Sequence, residues 1–181
     1  MESTTKKICE NRLMAPLTKQ PEPWLRGIVP GVDPVIGHLL HGSRHIREDM
    51  EGAIADLSVA QLWTPVHRLT CAGFQAKHLA GSTLRLCSYL IGEQLTAEQV
   101  AAIAAESTGN ETAPQLLSLI SLALDHYDGL LRALQPEQFG TIREIGRKRL
   151  QTTVVSLATH IVEHGMRHVG LTIAAAKAAR V

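Results

Sequence analysis

Apolar positions along the chain fall into four long stretches that share one spacing. Over residues 34–57, Ile36, Leu39, Ser43, Ile46, Met50, Ala53 and Leu57 recur at alternating intervals of three and four. That repeat lines one face of an α-helix. The same spacing carries Leu69, Ala72, Ala76, Leu79, Thr83, Leu86 and Leu90 over residues 69–94. It returns in Leu116, Ile120, Ala123, Tyr127, Leu130 and Leu134 over 113–134. The last stretch, 152–179, has Val154, Leu157, Ile161, His164, His168, Leu171, Ala175 and Ala178 in its stripe.

Local signals mark the ends of these segments. Asp33 before Pro34 reads as an N-cap followed by proline at the first helical position. Pro136 and Gly140 close the third segment. Thr96 and Gln99 have the spacing of a capping box and predict a short helix inside the less regular stretch 92–110. No stretch carries a strand signal. Four amphipathic helices without strands predict an all-α four-helix bundle over residues 34–181. Residues 1–33 are polar and contain Pro16, Pro21, Pro23 and Pro30, so they predict an arm, with Trp24 and Leu25 available to anchor it.

Composition narrows the function classes. The chain has 181 residues, 45% of them hydrophobic and 3% aromatic, which suits one Leu- and Ala-rich helical domain. Its formal net charge of +1 gives no field to attract nucleic acid or an anionic membrane surface. No stretch reaches the roughly 18 apolar residues of a membrane helix. Cys9, Cys71 and Cys87 show no paired spacing and read as reduced thiols. No apolar run follows Lys6 and Lys7, so no signal peptide is visible. A cytoplasmic protein without nucleic-acid or membrane partners is expected.

The histidines change the picture most. His164 and His168 occupy stripe positions where Leu or Ile is expected, and four residues apart they stand one above the other. A buried imidazole needs a partner for each ring nitrogen, and charging one beside the other is unfavourable. A shared metal ion resolves both difficulties, and so does hydrogen bonding to neighbouring side chains. His160 lies beside the stripe and roughly 12 Å along the axis from His168, which suits a solvated surface place, or a rim or substrate-facing one, better than a share in the same ion. A third ligand must come from another helix. His38, His41 and His45 fall off the stripe of the first helix and read as solvated. His67, His78 and His126 remain, with His78 on the edge of the second stripe between Phe74 and Ser82, and Lys77 and Arg85 marking the solvent side.

Two segments resemble a known family. The run from Lys77 through His78, Gly81 and Arg85 to Leu86 resembles the second-helix signature of a branch of the DinB/YfiT-like superfamily. The run from His160 through His164 and His168 to Gly170 looks like that superfamily's fourth-helix signature. The Trp24–Gly27 entry before the first helix agrees, and the resemblance spans about residues 22–180. It implies a divalent metal, Zn or Ni, held by His78, His164 and His168. One departure is Leu171, where the family commonly has Gln after the helix-four Gly.

Three histidines leave a coordination position open, the pattern of a reactive site rather than a closed structural one. The resemblance implies a metal-dependent transferase that joins small electrophiles to a low-molecular-weight thiol. Two alternatives stay open: a metal-dependent hydrolase, and a non-enzymatic stress-response metal-binding protein. A small-molecule substrate is the expected partner, and the architecture allows a homodimer. Glu163 is placed to orient a ligand or accept a proton, or to pair with Arg167 on the surface. Cys71 and Cys87 read as small apolar residues of the second helix rather than nucleophiles.

Overall fold

The computed structural model describes residues 20–181. Cys9, Pro16 and the first nineteen residues of the expected arm lie outside the described residues. The described chain is predominantly helical. Its long helices are α1 (Pro34–Ile54), α3 (Ala72–Leu90), α5 (Ala113–Ala133) and α6 (Val154–Ala179), and two short ones, α2 (Val59–Trp63) and α4 (Ala97–Ala101), fall between them. Short 3-10 helices occupy Pro23–Leu25, Ala102–Ser107 and Pro136–Gln138.

Local chemistry places the ends. The Asp33 carboxylate accepts the Val35 N–H at 2.8 Å, with Pro34 in the first turn of α1. Thr96 and Gln99 form the reciprocal capping box at the start of α4 (3.2 and 2.9 Å). Helix α3 begins at Ala72, three residues later than the periodicity predicts. The chain makes a tight turn at Val66–Leu69, where His67 and Arg68 adopt φ of 49° and 68°. It ends at Leu90, because Gly92 takes a φ of 91° that a continuing helix does not permit.

The long helices pack in pairs, α1 against α5 and α6, and α3 against the same two. Their predicted stripes supply the core. Ile36, Ile46, Met50, Leu79, Leu116, Ile120 and Ile161 are buried. Tyr127 is fully buried, and its hydroxyl donates to the Ala158 carbonyl at 2.8 Å, tying α5 to α6. Close approach of α1 and α6 depends on glycine. A Cβ on Gly165 would stand 2.5 Å from Ile46 Cδ1, and one on Gly42 would stand 2.5 Å from Val162 Cγ1.

Three expectations need correction. A two-stranded antiparallel hairpin, β1 (Ile142–Ile145) and β2 (Leu150–Thr153), precedes α6, with Ile142 opposite Thr153 and Ile145 opposite Leu150. Four-residue strands are too short to show alternation. They are held from outside, by Arg143 Nε donating to the Leu90 carbonyl (2.7 Å) and Gln94 Nε2 to the Glu144 carbonyl (2.9 Å). The hairpin consequently delays the start of α6 to Val154. Trp24 and Leu25 are more than half exposed, so they do not anchor residues 20–33. Arg26 does, through paired bonds to Glu48 on α1 (2.5 and 2.7 Å). Among the described residues no helix is long and apolar enough to cross a membrane.

Candidate functional site

α3 and α6 pack side by side, and that contact brings His78 against His164 and His168. Candidate ligand nitrogens of the three lie within 4.8 Å of one another. Ring centroids are 4.6 Å apart for His78 and His168, 4.5 Å for His164 and His168, and 5.6 Å for His78 and His164. His168 is buried and the other two are half-buried. Phe74, one turn before His78 on α3, stacks on its ring with centroids 5.5 Å apart.

The hydrogen bonds around these rings set which nitrogens are free. Glu106 Oε2 lies 2.7 Å from His78 Nδ1, and a carboxylate oxygen accepts, so His78 Nδ1–H is the donor. Gln75 Nε2 donates to Thr70 Oγ1, which turns Gln75 Oε1 toward His168 Nδ1 at 2.6 Å. His168 therefore also carries its proton on Nδ1. In the neutral rings the Nε2 lone pairs of His78 and His168 are left for a ligand. His164 Nε2 is buried with no hydrogen-bond partner among the described residues.

Charge is disfavoured here. Burial lowers the His164 imidazole to about 4, with repulsion from His78, then His160 and Arg167, adding to it. Burial likewise lowers His168 to about 4, followed by repulsion from His164 and His78. At neutral pH both rings are uncharged, the form that ligates a metal. Three clustered imidazoles with one orphaned buried nitrogen among the described residues fit a divalent ion such as Zn or Ni, for which imidazole is a good donor at about 2.0–2.1 Å. The hydrogen bonds among the described residues leave His164 Nε2 unpaired.

Comparison with known proteins finds no family model and no curated protein that matches this chain.

The remaining histidines are not among the three whose candidate ligand nitrogens gather, although His160 borders them. His160 is exposed at the rim, its ring centroid 5.8 Å from that of His164, and its Nδ1 lies 3.8 Å from Glu163 Oε2. Glu163 is exposed and does not reach the three rings by hydrogen bond or ion pair among the described residues. His38, His67 and His126 are exposed. His41 and His45 are half-buried rather than solvated: His41 Nε2 bonds the Gly27 carbonyl at 2.7 Å, and His45 Nε2 lies 3.4 Å from Asp49. Cys87 is fully buried and its thiol is pushed up to about 12, by burial first and the charge of Asp128 second, so it is no nucleophile.

Two further corrections bear on the site. Arg85 does not mark the solvent side of α3; only 11% of its side chain is exposed, and it bonds Glu106. Leu171 is exposed and Thr172 is buried instead, because 3.6 residues per turn carry the stripe away from a strict seven-residue repeat. Hydrophobic periodicity does not single out Glu106 or Gln75. A faint signal exists for both: a carboxylate ending the apolar run Ala101–Ala105, and an amide beside Ala76 in the small-residue start of α3.

Proposed function

We propose that this chain is a divalent-metal-binding protein of the DinB/YfiT-like kind, with His78, His164 and His168 as ligands and Zn or Ni as the ion. In this reading residues 34–181 form a four-helix bundle domain behind an arm at 1–33. The observation that carries it is the buried, unpartnered His164 Nε2 beside two rings whose Nδ1 protons are already committed. The family rests on the two sequence signatures around His78 and His164.

The activity we infer is transfer of a small electrophile to a low-molecular-weight thiol. A divalent ion held by three imidazoles supplies Lewis acidity and lowers the pKa of a thiol or water that joins it. The chain's own contribution is to keep His164 and His168 neutral at working pH. Phe74 covers one face of His78, and the exposed His160 ring stands beside that of His164.

Metal analysis and thiol binding test the two levels separately. Protein purified without a metal-affinity step is expected to hold about one divalent ion per chain or to take one up from Zn or Ni. Less than about a tenth of an equivalent, with no uptake, refutes the metal centre. With cobalt loaded, glutathione or cysteine is expected to produce a sulfur-to-metal charge-transfer band that is absent in His164→Ala. No band with either thiol, together with ester or amide cleavage by water, replaces the transferase with the hydrolase. A metal-bound protein that does neither is the non-enzymatic metal-binding protein.

A further inference from the structure

Glu106 is an acidic side chain with almost no exposure, carried on the 3-10 helix Ala102–Ser107 between α4 and α5. Burying a carboxylate is expensive unless its oxygens are paired. Here both are. Arg85 Nη1 donates to Oε1 at 2.5 Å, Arg85 Nη2 to Oε2 at 3.3 Å, and His78 Nδ1–H to Oε2 at 2.7 Å. Space for this arrangement comes from Gly81 on α3. A Cβ there would collide with Glu106 Oε1 and stand 2.9 Å from Arg85 Nη1. Glycine at 81, arginine at 85 and histidine at 78 thus form one face of α3 shaped around a single carboxylate.

From this geometry we propose that Glu106 is a positioning residue for the metal centre: clamped by Arg85, it fixes His78 in the Nδ1–H tautomer and aims its Nε2 lone pair at the cluster. Gln75 does the same for His168 with a neutral amide, its orientation set by Thr70. The two rings are therefore held by unlike groups. The carboxylate both orients its ring and increases the electron density of the ligating nitrogen, whereas the amide only orients. Because Glu106 lies outside the four long helices, it also ties the 92–112 connection to the ligand set. The inference rests on the metal-centre reading above, but the tautomer it predicts exists in the metal-free protein.

The test uses the full chain and two variants, Glu106→Ala and Glu106→Gln, the second retaining size if the first fails to fold. Glu111→Gln serves as control, since Glu111 pairs with Lys77 and, among the described residues, makes no hydrogen bond or ion pair to the three histidines. Zinc affinity is measured by competition with a chromophoric chelator. The His78 tautomer is read in metal-free protein from long-range proton–nitrogen spectra of the imidazoles at mildly alkaline pH. Glu106→Ala is expected to weaken zinc binding about 10–100-fold, Glu106→Gln less, and Glu111→Gln not at all. His78 is expected to be Nδ1–H in the wild type and a mixture of tautomers in Glu106→Ala. Zinc affinity within twofold of wild type in both Glu106 variants overturns the proposal, and so does an unchanged Nδ1–H tautomer. If the wild type takes up no metal, the function proposed above fails, and the tautomer result alone decides the role of Glu106.

Discussion

At the scale of single residues, the site is defined by which ring nitrogens already have partners. His78 and His168 each donate through Nδ1, and His164 Nε2 has no hydrogen-bond partner among the described residues. The other histidines differ in kind. His41 is tied to the Gly27 carbonyl, His45 sits beside Asp49, and His38 is exposed. Replacing His38, His41 and His45 together with Gln is therefore expected to leave metal content unchanged, as read by elemental analysis. A His164→Ala variant measured alongside should lose most of it, since two imidazoles rarely hold a divalent ion as firmly as three. Loss of metal in the triple variant would mean that α1 faces the site.

At the scale of elements, the site depends on how closely helices approach. His164 and His168 are on α6, and the position of α6 is set partly by Gly165 against Ile46 of α1. A Gly165→Ala change places a methyl 2.5 Å from Ile46 Cδ1, where the Ile46 side chain is buried and must change rotamer. Overpacking of this kind costs about 1–3 kcal/mol. Chemical denaturation should show a lower midpoint of that order with an unchanged slope. Part of the loss should be relieved by Ile46→Val in the same chain, because that substitution removes the colliding methyl. An additive double variant would indicate that the two side chains do not share the contact.

For the whole molecule, the buried apolar core is built from residues other than the three histidines. The stripes of α1, α3, α5 and α6 bury Ile36, Met50, Leu79, Leu116, Ile120, Leu131 and Ile161 independently of the three histidines. Chelated protein is expected to keep its helical circular dichroism. Binding to the native state alone still stabilises it, by about 2.7 kcal/mol at a hundredfold excess over Kd, or roughly 5–10 °C in melting temperature. Collapse to coil on chelation would make the ion structural and favour the non-enzymatic reading.

Much of the architecture was legible in the chain because helices write their buried face locally. Ile36 to Ala53 and Leu116 to Tyr127 are buried as the three-and-four spacing requires, and Asp33, Thr96 and Gln99 cap where their side chains can reach a nearby N–H. His164 and His168 stood out for the same reason, as polar residues in an apolar stripe. The hairpin at 142–153 left no such trace, since its bonds to Leu90 and Gln94 come from residues about fifty positions away. The approach of His78 to the pair on α6 was available in the sequence only through resemblance. Its geometry follows from α3 packing on α6. The roles of Glu106, Arg85 and Gln75 were decided by the tertiary structure. A carboxylate's partners depend on which helix face meets which connection in space, and no periodicity along a single segment encodes a contact between two.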